Sequence, residues 1–319
     1  MGLPEEPGAR LSGRLPALAL ALAVASPAAA EQSHLLVVVG LGGETSFTDA
    51  FHDLATSMVA AAEKLGVAAA NVAYVGEKTE ARSTRENVRK AFEDVGRRAA
   101  SGDVVFILLI GHGSFQSGEA RFNLPGPDMS AADFAPLLAR LASQKVVFVN
   151  TASASGDFVK ALSGKDRTIV TATKSAFERN ETEFAQYFVE AFTKDGADAD
   201  KDQRVSVLEA FDYARREVQR AYEKNQRLLT EHAVLDDHAD GALARTLFLG
   251  SSAPAIARVS DDPEVAELRR QRRDIEKKID ALKAQKETMA AARYDAELEK
   301  LLFELSVKDS AIRRREAPK

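Results

Sequence analysis

The chain has 319 residues, a formal net charge of −5, 7 % aromatic residues and no tryptophan. So mild a charge excludes a protein built around bulk nucleic-acid binding, and so few aromatics exclude a stacking surface for single strands. Cysteine is absent, which excludes disulfides, thiol nucleophiles and cysteine-linked lipids.

Residues 1–30 carry Arg10 and Arg14, then an alanine- and leucine-rich run from Leu15 to Ala25, then Ala28–Ala30. A basic start, a short apolar stretch and small residues at the end predict a cleaved signal peptide. The apolar stretch is shorter than the roughly 20 residues that a spanning helix needs, so the expectation is a periplasmic or secreted protein with no membrane span after cleavage.

From residue 31 to 250, apolar runs alternate with helical spacing. Strands are predicted at Leu35–Gly40, Asn71–Val75, Val104–Ile110, Lys145–Val149, Thr168–Ala172 and Thr246–Leu249. Helices are predicted at Phe47–Leu65, Ser83–Ala99, Ser130–Leu141, Glu181–Lys194 and Ser206–Asn225. This alternation predicts βαβ units and an α/β fold with a six-stranded, mostly parallel sheet covered on both faces. Ligands of such sheets bind beyond the carboxyl ends of the strands.

Two segments lie just there. Gly111-His112-Gly113 follows the strongest strand, and Thr151-Ala-Ser153-Ala-Ser155-Gly156 follows the next. His112 is a candidate general base, the Gly113 amide a candidate oxyanion donor, and Ser153 a candidate nucleophile. Thr151 and Ser155 are competing hydroxyls. A serine hydroxyl needs far more activation than a thiol, including a base held in one tautomer by a third group. Asp103 and Asp157 are the acidic candidates for that third place.

These residues resemble the caspase and legumain group of cysteine peptidases (the C13 and C14 peptidases, or caspase–haemoglobinase fold). The resemblance rests on Ile110-Gly-His112-Gly-Ser114, on Phe122-Asn-Leu-Pro125 followed by the helix from Ser130, and on Val146-Val-Phe-Val-Asn-Thr-Ala-Ser153-Ala-Ser-Gly156. It implies a three-layer caspase-like fold, with His112 as the catalytic histidine, Gly113 in the oxyanion hole and Ser153 at the cysteine position. Cys→Ser normally abolishes activity in this family. The resemblance therefore implies a pseudopeptidase that binds a peptide or protein in the inherited cleft. The alternative is an active peptidase or esterase using Ser153 with His112. A third reading leaves the cleft idle.

Asp198-Ala-Asp200-Lys-Asp202-Gln-Arg204-Val-Ser206-Val-Leu-Glu209 places oxygen ligands at the spacing of an EF-hand loop, with Arg204 contributing its backbone carbonyl. Calcium is the expected ion. Gln203 departs from the pattern where glycine normally allows φ > 0, and the alternative is a polar loop between helices in which Ser206 and Glu209 form only a capping box. The later group Glu231-His232 and Asp236–Gly241 reads as an acidic turn ending in glycine, with a second cation site or the rim of a substrate pocket as alternatives.

Residues 251–263, with Pro254 and Pro263, form an expected linker. Beyond it Leu268, Ile275, Leu282 and Met289 recur every seven residues, with Val265 and Ile279 at a second apolar position that Arg272 and Lys286 interrupt. A second stretch carries Leu298, Leu301, Leu302, Leu305 and Ile312. Residues 264–316 are expected to form a coiled coil or a helical hairpin turning near Thr288–Arg293, an interface for a protein partner or a second copy. The basic run Arg269–Arg273 is flanked by Glu264, Glu267, Asp274 and Glu276, and reads as a salt-bridged exposed face.

Overall fold

The computed structural model describes residues 31–141, 144–250 and 289–316, together with Gly2 and single positions between 264 and 282. The expected signal peptide (Gly2 apart) and the 251–263 linker lie outside the described residues.

The central sheet has the order β2-β1-β3-β7-β8-β9. Its strands are β1 (Ser33–Val39), β2 (Val72–Val75), β3 (Val104–Ile110), β7 (Lys145–Asn150), β8 (Arg167–Thr171) and β9 (Val234–Asp236). The first five are mutually parallel, and β9 closes the edge antiparallel to β8. Every residue of β1 and β3 is buried, because both faces are covered. Leu35, Val37, Phe106 and Leu108 pack under α1 (Thr45–Lys64), α5 (Phe184–Thr193) and α6 (Val207–Lys224). The alternate residues Leu36, Val38, Val105 and Ile107 pack under α2 (Arg85–Arg98), α3 (Ala131–Ala139) and α4 (Asp157–Leu162). A period of two distributes one apolar run between two cores. The result is the three-layer, mostly parallel arrangement that the resemblance implied.

A small second sheet follows β3: β4 (Gly113–Gln116), β5 (Glu119–Phe122) and β6 (Met129–Ser130). Ser117 and Gly118 turn the β4–β5 hairpin with φ of 53° and 79°, the conformation that two-residue hairpin loops require. The hairpin returns the chain beneath its own start, where the Asn123 amide donates to the His112 carbonyl at 3.0 Å.

The expected strand at Thr246–Leu249 is not in the sheet. Leu247 and Leu249 are buried against the α1–α5–α6 core, and the segment makes only one bridge, Ser206 with Phe248. The sixth strand is β9 instead.

At the C-terminus, the described positions from 264 to 282 are helical, and α7 spans Ala291–Glu316. Arg315 pairs with Glu264, which sets the two stretches antiparallel. Ile275, Ile279, Leu282, Tyr294 and Ile312 are buried. The exposed-face reading of the basic run fails at Arg272, which is 7 % exposed. Its guanidinium donates to the carbonyl oxygens of Asp200, at 3.0 Å, and Lys201, so the residue that interrupts the heptad anchors the helix to the acidic loop.

Candidate functional site

Strands β3 and β7 are neighbours in register, with Leu109 opposite Asn150, so the turns that follow them emerge side by side at the carboxyl end of the sheet. The Thr151 amide and hydroxyl both donate to the Leu109 carbonyl, at 3.1 and 2.8 Å. Gly113 lies so close to the serine turn that a Cβ there would sit 2.0 Å from the Ser153 carbonyl oxygen. Only glycine fits.

Ser153 is 7 % exposed. Its hydroxyl donates to the Gly113 carbonyl at 3.0 Å, and the Gly113 amide approaches the same Oγ at 3.4 Å. His112 is half-buried between the edges of Phe47 and Phe51, with ring centroids at 4.6 and 5.0 Å. Among the described residues no hydrogen bond reaches its ring nitrogens. His112 and Ser153 line one pocket with Phe51, Thr151, Glu181 and Thr182. Its volume of about 10 Å³ is room for about one water.

The rest of the turn is tightly fixed. Ala154 has φ of 54°, a left-handed conformation that a non-glycine residue adopts only under constraint. Its amide donates to the Glu178 carbonyl at 2.7 Å. A Cβ on Gly156 would lie 2.1 Å from the Ser175 amide nitrogen. The Ser155 hydroxyl lies 3.2 Å from that of Thr173. The hydroxyls of Thr151 and Ser155 are therefore tied into structure.

Neither acidic candidate for the third place touches His112. Asp103 lies at the opposite end of the sheet, where it accepts from the Gln32 and Ala100 amides and pairs with His34 at 3.0 Å. Asp157 accepts from the Ala176 amide at 3.4 Å. Glu181 is the carboxylate in the pocket wall. Sequence reasoning missed it, with Phe51 and Thr182 in the pocket wall and Phe47 against the His112 ring, because all four arrive through tertiary packing and belong to no local motif.

The acidic loop lies away from this pocket, toward the amino end of the sheet. The 247–250 segment that bridges to Ser206 ends at Gly250, whose carbonyl accepts from the Ser33 hydroxyl at the start of β1 at 2.6 Å. Asp198, Asp200 and Asp202 each offer an oxygen, all within 4.8 Å of one another. Gln203 has φ of 70°, so it adopts the backbone that glycine would supply. Burial, then the charges of Asp202 and Glu209, push the Asp200 carboxyl up to about 6. The Arg204 amide donates to Asp202 at 2.8 Å. Glu209 stands outside the three-aspartate group. One of its oxygens accepts from the Ala199 and Asp200 amides, and the other closes a capping box on Ser206.

The later acidic group is structural in geometry. Asp237 accepts from the amides of Ala239, Gly241 and Ala244. Burial alone would raise its carboxyl, but these amides hold it below the ordinary value. Glu231 accepts from the amides of Glu183 and Phe184.

A family model described as the peptidase C13 family matches residues 54–234. Among solved structures, the chain is similar to the Drosophila initiator caspase Dronc, with 11 % identity, a TM-score of 0.45 and coverage of 78 % of this chain and 98 % of that one. It is also similar to Caspase-1 from Spodoptera frugiperda, with 10 % identity, a TM-score of 0.44 and coverage of 70 % and 92 %. No curated protein matches the chain.

Proposed function

The chain belongs to the peptidase C13 family, and from that premise we propose that it is an exported, catalytically degenerate peptidase that binds a peptide or protein. One observation carries the reading: the Ser153 hydroxyl donates to the Gly113 carbonyl rather than to His112. A serine acts as nucleophile when a neighbouring base takes its proton. His112 has aromatic rings around it, and among the described residues no carboxylate is hydrogen-bonded to its ring. Of the catalytic parts, the family scaffold keeps the histidine and the oxyanion-side glycine and replaces the thiol. Export rests on the layout of residues 1–30.

The rival, an active peptidase or esterase, needs Ser153 to turn from Gly113 toward His112 and Glu181 to swing in as the third member. Glu181 in the pocket wall is the observation in its favour.

The loop at 198–209 is proposed to bind calcium. Its support is the convergence of three aspartates and the positive φ at Gln203. A hard cation suits an all-oxygen donor set.

The binding reading is tested by photo-crosslinking residues 31–319 to a random peptide library. Crosslinks at residues 112–116 and 175–182 that compete with unlabelled peptide support the cleft. Crosslinks confined to residues 264–316 would move the function to the helices, and no saturable crosslink would leave the cleft idle.

A further inference from the structure

Helix α6 carries Asp212, Arg215, Arg216 and Gln219 at positions i, i+3, i+4 and i+7, the spacing that lines up one face. That face borders a cavity of about 720 Å³ between α6, the start of α5 and the segment leading into β9. Its volume falls within the roughly 300–1,000 Å³ of small-molecule sites, whereas the pocket at Ser153 has room for about one water. Phe184, Val218, Leu229 and Ala233 give the cavity an apolar wall. Phe184 and Val218 are themselves buried in the α1–α5–α6 core, so this wall is firmly seated.

The polar wall carries donors with no acceptor of their own. Arg215 lies over the Phe211 ring at 5.5 Å and Arg216 over that of Tyr213 at 5.7 Å, which restrains both guanidinium groups. A guanidinium has more donors than one carboxylate can engage. Arg215 directs one of them to Asp212 at 3.2 Å, and Arg216 stands 3.7 Å from Glu217, so both keep N–H groups for a further acceptor. His232 lines the same cavity. Its Nδ1 is 2.6 Å from the Glu178 carboxylate, which fixes the ring, and among the described residues no hydrogen bond reaches its Nε2. The acids in the wall are already engaged. Asp212 is held by Arg215, and Glu231, 2 % exposed, accepts from the amides of Glu183 and Phe184. What remains to be met belongs to the arginines, so the cavity favours an acid over an amine.

We propose that this cavity is a second binding site, which takes a small organic acid with an apolar body. The body lies against Phe184, Val218, Leu229 and Ala233, and the carboxylate accepts from Arg215 and Arg216. Removing the apolar surfaces from water supplies the affinity, and charge-assisted hydrogen bonds supply the preference for an acid. The His232 Nε2 is a further contact for a hydroxyl or carboxyl of the ligand. Neither Ser153 nor peptide binding enters the argument, so the site stands or falls apart from the cleft reading.

The test is NMR of residues 31–319 with para-trifluoromethylbenzoate, beside para-trifluoromethylbenzamide and para-trifluoromethylbenzylamine. The expected result is saturable binding of the acid, with nuclear Overhauser contacts to the Val218 and Leu229 methyls, and binding of the amide and the amine weaker by about tenfold or more. Replacing both arginines, Arg215→Gln with Arg216→Gln, should weaken the acid by about the same factor and leave the amide unchanged. Ala233→Trp, which fills the space, should abolish binding of the acid. The proposal is overturned if the acid shows no saturable binding up to several millimolar, if the amine binds as tightly as the acid, or if the Overhauser contacts lie elsewhere. Undiminished binding in Ala233→Trp overturns it too. The first three of these outcomes are read on the native protein, so they decide even if a variant fails to fold.

Discussion

The Ser153 hydroxyl donates to the Gly113 carbonyl at 3.0 Å, joining the turn after β7 to the first residue of β4. That bond ties together the two turns at the carboxyl end of the sheet, and it commits the serine hydroxyl to Gly113 rather than to the neighbouring His112. The same closeness leaves no room for a side chain at position 113.

Gly113→Ala should therefore damage the fold locally. Its Cβ would meet the Ser153 carbonyl at 2.0 Å, and relieving such overpacking costs about 1–3 kcal/mol. Urea denaturation should show a loss of that size, whereas Ser114→Ala should stay near native. A neutral Gly113→Ala variant would contradict the described approach of the two turns.

Asp103 should make stability depend on acid. Burial would raise its carboxyl, but the Gln32 and Ala100 amides and His34 outweigh burial and hold it below the ordinary value. A depressed carboxylate contributes stability above its unfolded value of about 4, and that contribution is lost as pH falls through the folded value. Asp103→Asn should lose about 1–3 kcal/mol near neutrality, with the gap to native closing below about pH 4. A gap independent of pH would show that the carboxylate charge is not what stabilises this end of the sheet.

Calcium should bind at about 10⁻⁴–10⁻³ M, the range of extracellular modules. Because Asp200 is pushed up to about 6, protons should compete, and affinity should fall as pH drops through that value. Isothermal titration of residues 31–319 is the check. No heat up to several millimolar, and no effect of Asp198→Ala, would show that the loop does not bind calcium.

Arg272→Ala should free its helical segment from the acidic loop. The guanidinium reaches the carbonyls of Asp200 and Lys201, and hydrogen bonds to a charged group contribute about 1.5–3 kcal/mol. Limited proteolysis should cut within residues 264–290 faster than in the native protein. An unchanged digestion pattern would show that Ile275, Ile279 and Leu282 hold the helix without it.

The sheet was legible in the sequence wherever an apolar run serves two cores, as in Val104–Ile110. It was not legible at β9, three half-buried residues at an edge, nor in the β4–β5 hairpin, whose Gly-Ser-Phe-Gln and Glu-Ala-Arg-Phe segments carry no apolar run. Thr246–Leu249 misled in the other direction, because Leu247 and Leu249 are apolar through packing and not through strand pairing. The motif residues His112, Gly113 and Ser153 were readable from strand ends and small-residue spacing. The surroundings that decide their chemistry, Phe47, Phe51 and Glu181, come from α1 and the approach to α5. No local pattern encodes that meeting.

In the proposed reading, Ser153 is not an activated nucleophile. The most direct measurement is the intact mass of residues 31–319 after exposure to a fluorophosphonate probe, with calcium present and a Ser153→Ala control alongside. No adduct is expected on either protein. An adduct on the native chain that disappears in the control would contradict that reading and establish an active serine hydrolase.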